Sequence, residues 1–371
     1  MPVPLRKSGA PVTGTVEPHR HSPGQLVAGK YRLERVLGRG GMGDVWLARN
    51  ETLDVEVAVK LLRKEADGPE AGSRFLQEAK AAARLTHSSI VRIFDFGIAE
   101  RGEPFIVMER LVGEDLATVL QRRGRFPAIH AVRTILPIAH ALASAHAKGV
   151  IHRDLKPENV FIAQGEAGER IEPKVVDFGV AKLDLPKELQ LTKGGVLLGS
   201  PAYMPPEQAR GAGVDHRADI WSLAVVLYEM VAGVRPFDAK THNAILVAIG
   251  RDEPRPFTEL SAGDDELWNI VAKGLRKDRR LRWESMLAFG EALASWARAR
   301  GAIDDVRGQA IETTWAESVE DLALVGRSIP PPTVRRETVD TLRRPLRHGR
   351  WRWAVVAAVA AVALIAALVW K

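Results

Sequence analysis

The period of hydrophobicity changes once along this chain, near residue 115, and that change limits the fold more than any other feature. From Tyr31 the runs YRLERVLG, DVWLARN and VEVAVKLL alternate or are rich in β-branched residues, separated by Gly-rich or polar turns, which predicts an antiparallel meander. Residues 73–85 repeat apolar and alanine residues at helical spacing, and IVRIFDFGI and PFIVMERL return to a strand pattern. After Asp115 the pattern is mostly helical: LATVLQRRG, residues 128–148, DIWSLAVVLYEMVAG, and segments near Asn243, Glu266 and Glu284. A small β-rich region followed by a larger helical one is an α+β arrangement.

The flanks behave differently. Residues 1–27 are rich in Pro, Gly and His without an apolar stretch, so they are expected to be disordered and are no signal peptide. Residues 298–350 carry a proline triplet, acids and then arginines with little periodicity, and are expected to be a juxtamembrane linker. Residues 354–370 contain no polar side chain. Their 17 residues give about 26 Å of helix, a little short of a bilayer core, with tryptophans at both ends. Seven arginines between Arg335 and Arg352 precede this run, so much of the net charge of +7 sits where a positive-inside flank belongs. The expectation is a single-pass C-terminal membrane helix with the rest of the chain cytoplasmic. Its alanines and valines permit close helix packing, which leaves a homodimer open. No basic helix face or interleaved aromatics suggest nucleic acid. The absence of cysteine excludes disulfides, thiolate metal sites and cysteine nucleophiles.

The chemistry lies in four motifs. GRGGMG places Gly38, Gly40 and Gly43 before the strand-like DVWLA, so these glycines belong to a hairpin that could fold over phosphates and not to a strand-to-helix dinucleotide turn. VAVK puts Lys60 at the end of a buried strand, where an ammonium needs an anion, and Glu78 in RFLQEAK is the expected partner. HRDLKPEN at 152–159 is followed by DFG at 177–179. In this order the motifs resemble the eukaryotic-like, bacterial-type Ser/Thr protein kinase family over residues 31–297.

The resemblance implies a two-lobed protein kinase fold, with an N-lobe over 31–108 and a C-lobe over 112–297. Asp154 would accept or orient the substrate hydroxyl proton, Lys156 would steady the γ-phosphate, and Asn159 and Asp177 would hold Mg²⁺, or Mn²⁺ in its place. The ATP site would comprise Leu37, Gly38, Gly40, Gly43, Val45, Ala58, Lys60 and Glu78, with Met108 as gatekeeper and Glu109 and Leu111 as hinge. Lys156, two residues after Asp154, is the Ser/Thr type of catalytic loop, so the implied activity is that of a non-specific serine/threonine protein kinase acting on protein substrates. GSPAYMPPEQA at 199–209 resembles the end of an activation segment, with Ser200 where threonine is commoner and Pro206 where alanine is usual. Glu207 is expected to pair with Arg282, and Asp219 to brace the catalytic loop. Arg153 before the catalytic aspartate implies activation by phosphorylation, with Thr192 the candidate regulatory residue and autophosphorylation the route. The alternative is a pseudokinase scaffold, against which the intact Lys60, Glu78, Asp154, Asn159 and Asp177 argue.

Overall fold

Six strands build the first lobe: β1 (Leu26–Val27), β2 (Tyr31–Gly40), β3 (Gly43–Asn50), β4 (Val55–Leu62), β5 (Ile93–Ile98) and β6 (Pro104–Met108). They form one antiparallel sheet in the order β1-β2-β3-β4-β6-β5. The structure, a computed structural model, describes residues 21–40, 43–62, 69–165, 170–178 and 201–315. Thr192, Ser200, the expected linker beyond residue 315 and the expected membrane helix at 354–370 lie outside the described residues. Alternation in β2 buries Tyr31 and Leu33 while Arg32 faces water, and the central strand β4 is buried from Val57 to Leu62 because both of its faces are covered. The expected disordered stretch to residue 27 is ordered at its end, where β1 pairs with β2 and His21 lies 2.9 Å from Glu103.

Helix α1 (Pro69–Ala83) begins four residues earlier than the periodicity suggests, with proline at its start, where a missing N–H costs nothing. Ala79 and Ala82 are buried and the helix lies along β5. The second lobe contains α2 (Leu116–Arg123), α3 (Ala128–Ala147), α4 (Pro206–Ala209), α5 (Arg217–Ala232), α6 (His242–Arg251), α7 (Asp265–Gly274) and α8 (Met286–Ala299). Caps fix several starts: Asp115, Thr241, Asp264 and Ser285 each accept a hydrogen bond from the amide three residues on. The helical pattern gave no sign of the three short strands β7 (Gly113–Asp115), β8 (Val160–Gln164) and β9 (Ile171–Val175), which form a second sheet.

The core of this lobe is α5, buried on all sides from Ala218 to Tyr228, so it shows no amphipathic stripe. Its neighbours are α3, α7 and α8. By length and apolarity α3 could cross a membrane, but most of it is buried in this core. After α8 the chain turns back onto the lobe. Residues 303–315, expected as linker, bury Ile311, Trp315, Asp305 and Arg307. Their few anchors are spread through a polar sequence and so leave no periodic trace.

Candidate active site

The loop between α3 and β8 is held from beneath by one carboxylate. Asp219, fully buried near the start of α5, accepts from the His152 amide at 2.8 Å, the Arg153 amide at 2.9 Å and His146 Nε2 at 2.7 Å. Burial alone would push its carboxyl up. The hydrogen bonds and charge of His146, with those from His152, outweigh that and hold it below the ordinary carboxylate value. His152 is also fully buried: its Nε2 donates to the Val176 carbonyl at 3.0 Å and its Nδ1 accepts from the Asp154 amide at 3.3 Å, which fixes the tautomer. Between these anchors Arg153 takes a left-handed backbone, φ 64°. A non-glycine residue there costs about 1–3 kcal/mol and persists because both neighbours are pinned.

The result is a presented carboxylate. Asp154 is partly exposed, and Lys156 Nζ lies 3.5 Å from its Oδ2. Asn159, in the 3-10 turn Pro157–Asn159, donates from Nδ2 to the Asp154 carbonyl at 2.8 Å and accepts at its own carbonyl from the Val176 amide at 3.0 Å. Residues Asp154, Asn159 and the stretch leading to Asp177 are thus tied into one unit. Asp177, also left-handed at φ 57°, directs its carboxylate at Lys60, 2.6 Å away.

That last contact corrects the expected pairing of Lys60 with Glu78. The ion pair at Lys60 is with Asp177, the residue expected to bind metal. The turn in the backbone at Asp177 brings its carboxylate to the end of β4, where Lys60 is buried and needs a counter-charge. Glu78 lies on α1, half-buried.

Above this centre, Ala58, Val91 and Met108 form a small buried apolar cluster, against which Val45, Leu111 and Val176 pack. It joins β3, β4 and the connection after β6 into one apolar surface, of the kind a flat aromatic base stacks on. Leu37 is exposed at the edge, with Gly38 and Gly40 following in β2. Gly43 has φ 153°, and a Cβ there would collide with the Leu61 carbonyl, so the hairpin requires glycine. Glu109 serves structure: its carboxylate accepts from the Arg92 amide at 2.8 Å and binds Lys174 at 3.1 Å, while its amide donates to the Arg92 carbonyl. Of the sequence-predicted residues, Lys60, Asp154, Lys156, Asn159 and Asp177 therefore converge, whereas Glu78 is not the partner of Lys60.

Among the described residues no three His, Cys, Asp or Glu side chains gather into a self-sufficient metal cage. The donors available are the Asp177 carboxylate and the Asn159 amide oxygen, whose nitrogen is spent on Asp154. Two hard oxygen donors beside a phosphate site suit a divalent cation that takes its remaining ligands from water and phosphate, so the residues fit such an ion. The protein kinase domain pattern matches residues 31–292. The chain belongs to the protein kinase family. A kinase domain of this family implies use of ATP and a divalent metal.

The chain is 38% identical over 293 residues to the serine/threonine-protein kinase pkn3 of Myxococcus xanthus, covering 76% of this chain and 52% of that protein. It is 36% identical over 326 residues to the PknA kinase of Corynebacterium glutamicum, covering 84% and 66%. Among solved structures, the Mycobacterium tuberculosis PknI kinase domain superposes with a TM-score of 0.60 at 27% identity, over 74% of this chain and 99% of that one. The chain thus spans little more than half to two thirds of the length of the two curated relatives. In the kinase lobe beyond the site, Glu207 and Arg282 form the expected pair in bidentate form, both contacts 2.7 Å, with the guanidinium fully buried. His146, the third donor to Asp219, was missed because no local pattern marks a lone histidine at a helix end.

Proposed function

We propose that the chain transfers the γ-phosphate of ATP to serine and threonine hydroxyls of proteins. The observation that carries this reading is the clamp of Asp219 on the 152–154 backbone, which presents Asp154 beside Lys156 and within one hydrogen bond of Asn159. The substrate hydroxyl oxygen bonds to the γ-phosphorus as the bond from that phosphorus to the bridging oxygen of ADP breaks. Asp154 orients the hydroxyl and takes its proton, and Lys156 offsets charge on the transferring oxygens. Lys60 neutralises the α- and β-phosphates, and the Gly38–Gly40 hairpin strand covers them. Mg²⁺, bound through Asn159 and Asp177, would supply charge neutralisation on the β- and γ-oxygens. Lys156 after Asp154, and relatives named serine/threonine kinases, support hydroxyl acceptors of the Ser/Thr type.

We further propose autophosphorylation at Thr192, with Arg153 as the cation it would neutralise, and attachment to the cytoplasmic face of a membrane through residues 354–370. The supporting features are the sequence of the activation segment and the apolar run behind its arginines. The experiment is incorporation of phosphate by the purified full chain with Mg·ATP, followed by site mapping, beside Asp154→Asn and Asp177→Asn. Labelling by wild type alone, on Ser and Thr, supports the reading; silence in all three with ATP still bound refutes it in favour of a scaffold. Retention in the membrane pellet after carbonate extraction tests the attachment, and release by carbonate overturns it.

A further inference from the structure

Residues 303–315 lie beyond the matched kinase domain, and none of them has a role in the phosphotransfer described above. Arg307 is nevertheless buried there, with Nε and Nη2 on Asp305 Oδ2 at 2.9 and 2.7 Å and Nη1 on Ser88 Oγ at 2.9 Å and Ser89 Oγ at 3.3 Å. Those serines form the turn between α1 and β5. The turn is fastened to the end of β9: the Val175 amide donates to the Ser89 carbonyl, and the Val91 amide to the Val175 carbonyl, both at 2.9 Å. Two residues later comes Asp177.

The segment that carries Arg307 is itself anchored to the helical lobe. Arg133 of α3 donates to the carbonyls of Asp304 and Asp305 at 2.7 and 3.1 Å. Trp315 fills a notch over α8 that exists because residue 290 is glycine, since a Cβ there would overlap the indole. A buried ion pair is a costly way to gain stability compared with apolar packing, and its best-attested return is a fixed register. Here the register fixed is that of the Ser88–Ser89 turn against residues 303–315, which α3 holds through Arg133.

We infer that Arg307 is a positioning residue: by fixing the Ser88–Ser89 turn, whose backbone is bonded to the end of β9, it sets the place of Asp177 relative to Lys60 and Asn159, so that docking of residues 303–315 is part of forming the catalytic centre. This rests on the reading of Asp177 as the metal-binding aspartate. Removal of Arg307 also strands Asp305, so the deciding variant is the double substitution Ser88→Ala with Ser89→Ala, which keeps the Arg307–Asp305 pair and cuts its link to the turn; Arg307→Ala is made beside it.

The first measurement is amide hydrogen exchange on the nucleotide-free full chain. The peptide covering residues 171–178 should exchange at least about ten-fold faster in the serine double variant, which removes both hydrogen bonds from Arg307 to the turn, with α5 unchanged. The second is steady-state transfer: kcat should fall and the half-saturating Mg²⁺ concentration should rise, while binding of ATP without Mg²⁺ stays at the wild-type level. Unchanged exchange at 171–178 in the double variant, or an equal rise across α5, overturns the proposal. A wild-type chain that transfers no phosphate would instead overturn the reading of the site, and the exchange result would still decide whether Arg307 holds β9. Should Arg307→Ala fail to fold, the serine variant carries both measurements.

Discussion

Glu207→Ala strips the counter-charge from a guanidinium that has no route to water. Arg282 is fully buried, and besides its two 2.7 Å bonds to Glu207 it donates to the carbonyls of Arg276 at 2.8 Å, Arg217 at 3.1 Å and Lys277 at 3.4 Å. Those carbonyls keep the cation in place after the carboxylate is gone, so the variant retains a buried, uncompensated charge. Breaking one partner of such a pair costs about 3–5 kcal/mol. At roughly 2 °C per kcal/mol for a domain of this size, Tm should fall by roughly 6–10 °C. Arg280 supplies the control, since its contact with Asp278 is also 2.7 Å but the arginine is 81% exposed, and Arg280→Ala should leave Tm close to that of wild type. Calorimetry and urea unfolding on the two variants make the comparison. The double variant Glu207→Ala with Arg282→Met should cost less than the sum of its single substitutions by at least about 2 kcal/mol. A Tm within about 2 °C of wild type for Glu207→Ala, on the order of 1 kcal/mol or less, or strict additivity in the double variant, would refute the reasoning.

Three further outcomes are expected. Lys60→Met should lower the rate of phosphate transfer by at least about 100-fold, the scale for losing a preorganised charge at a reacting centre, with little change in Tm; initial rates at saturating ATP decide it. His87, held by burial and then by His140 and nearby cations, has its pKa lowered to about 3. The unfolded chain binds this proton near its ordinary 6.5, so stability should fall as pH drops from about 6.5 toward 3, and His87→Asn should flatten the dependence of the urea midpoint over that window. Thr192→Ala should reduce activity toward an added protein substrate and remove one mapped phosphosite; equal activity would end its regulatory role.

Much of the site is legible in the residues because phosphate chemistry leaves local marks. GRGGMG, VAVK, HRDLKPEN and DFG can be read one at a time, and Glu207 with Arg282 followed from the motifs around them. What could not be read is whatever depends on where elements meet. Lys60 needs an anion wherever it is buried, and the sequence points to Glu78; the backbone turn that brings the Asp177 carboxylate there instead leaves no mark in the residues. The strands β8 and β9 are too short, and too close to helices, to register as alternation. Residues 303–315 read as linker because Asp305, Arg307 and Trp315 are ordinary residue types in a polar stretch. Their burial depends on a notch at Gly290 and on serines more than two hundred positions away.

The clamp at Asp219 also bears on when such a chain can become active during its own synthesis. The loop and aspartates that would do the chemistry leave the ribosome well before residue 219, but His152 and Arg153 are held by a carboxylate on α5. That helix is buried among α3, α7 and α8, and a helix draws most of its stability from such packing. A nascent chain with its motifs already emerged therefore lacks a formed catalytic loop until nearly the whole helical lobe has been made, and a truncated product ending before α8 would be released inert.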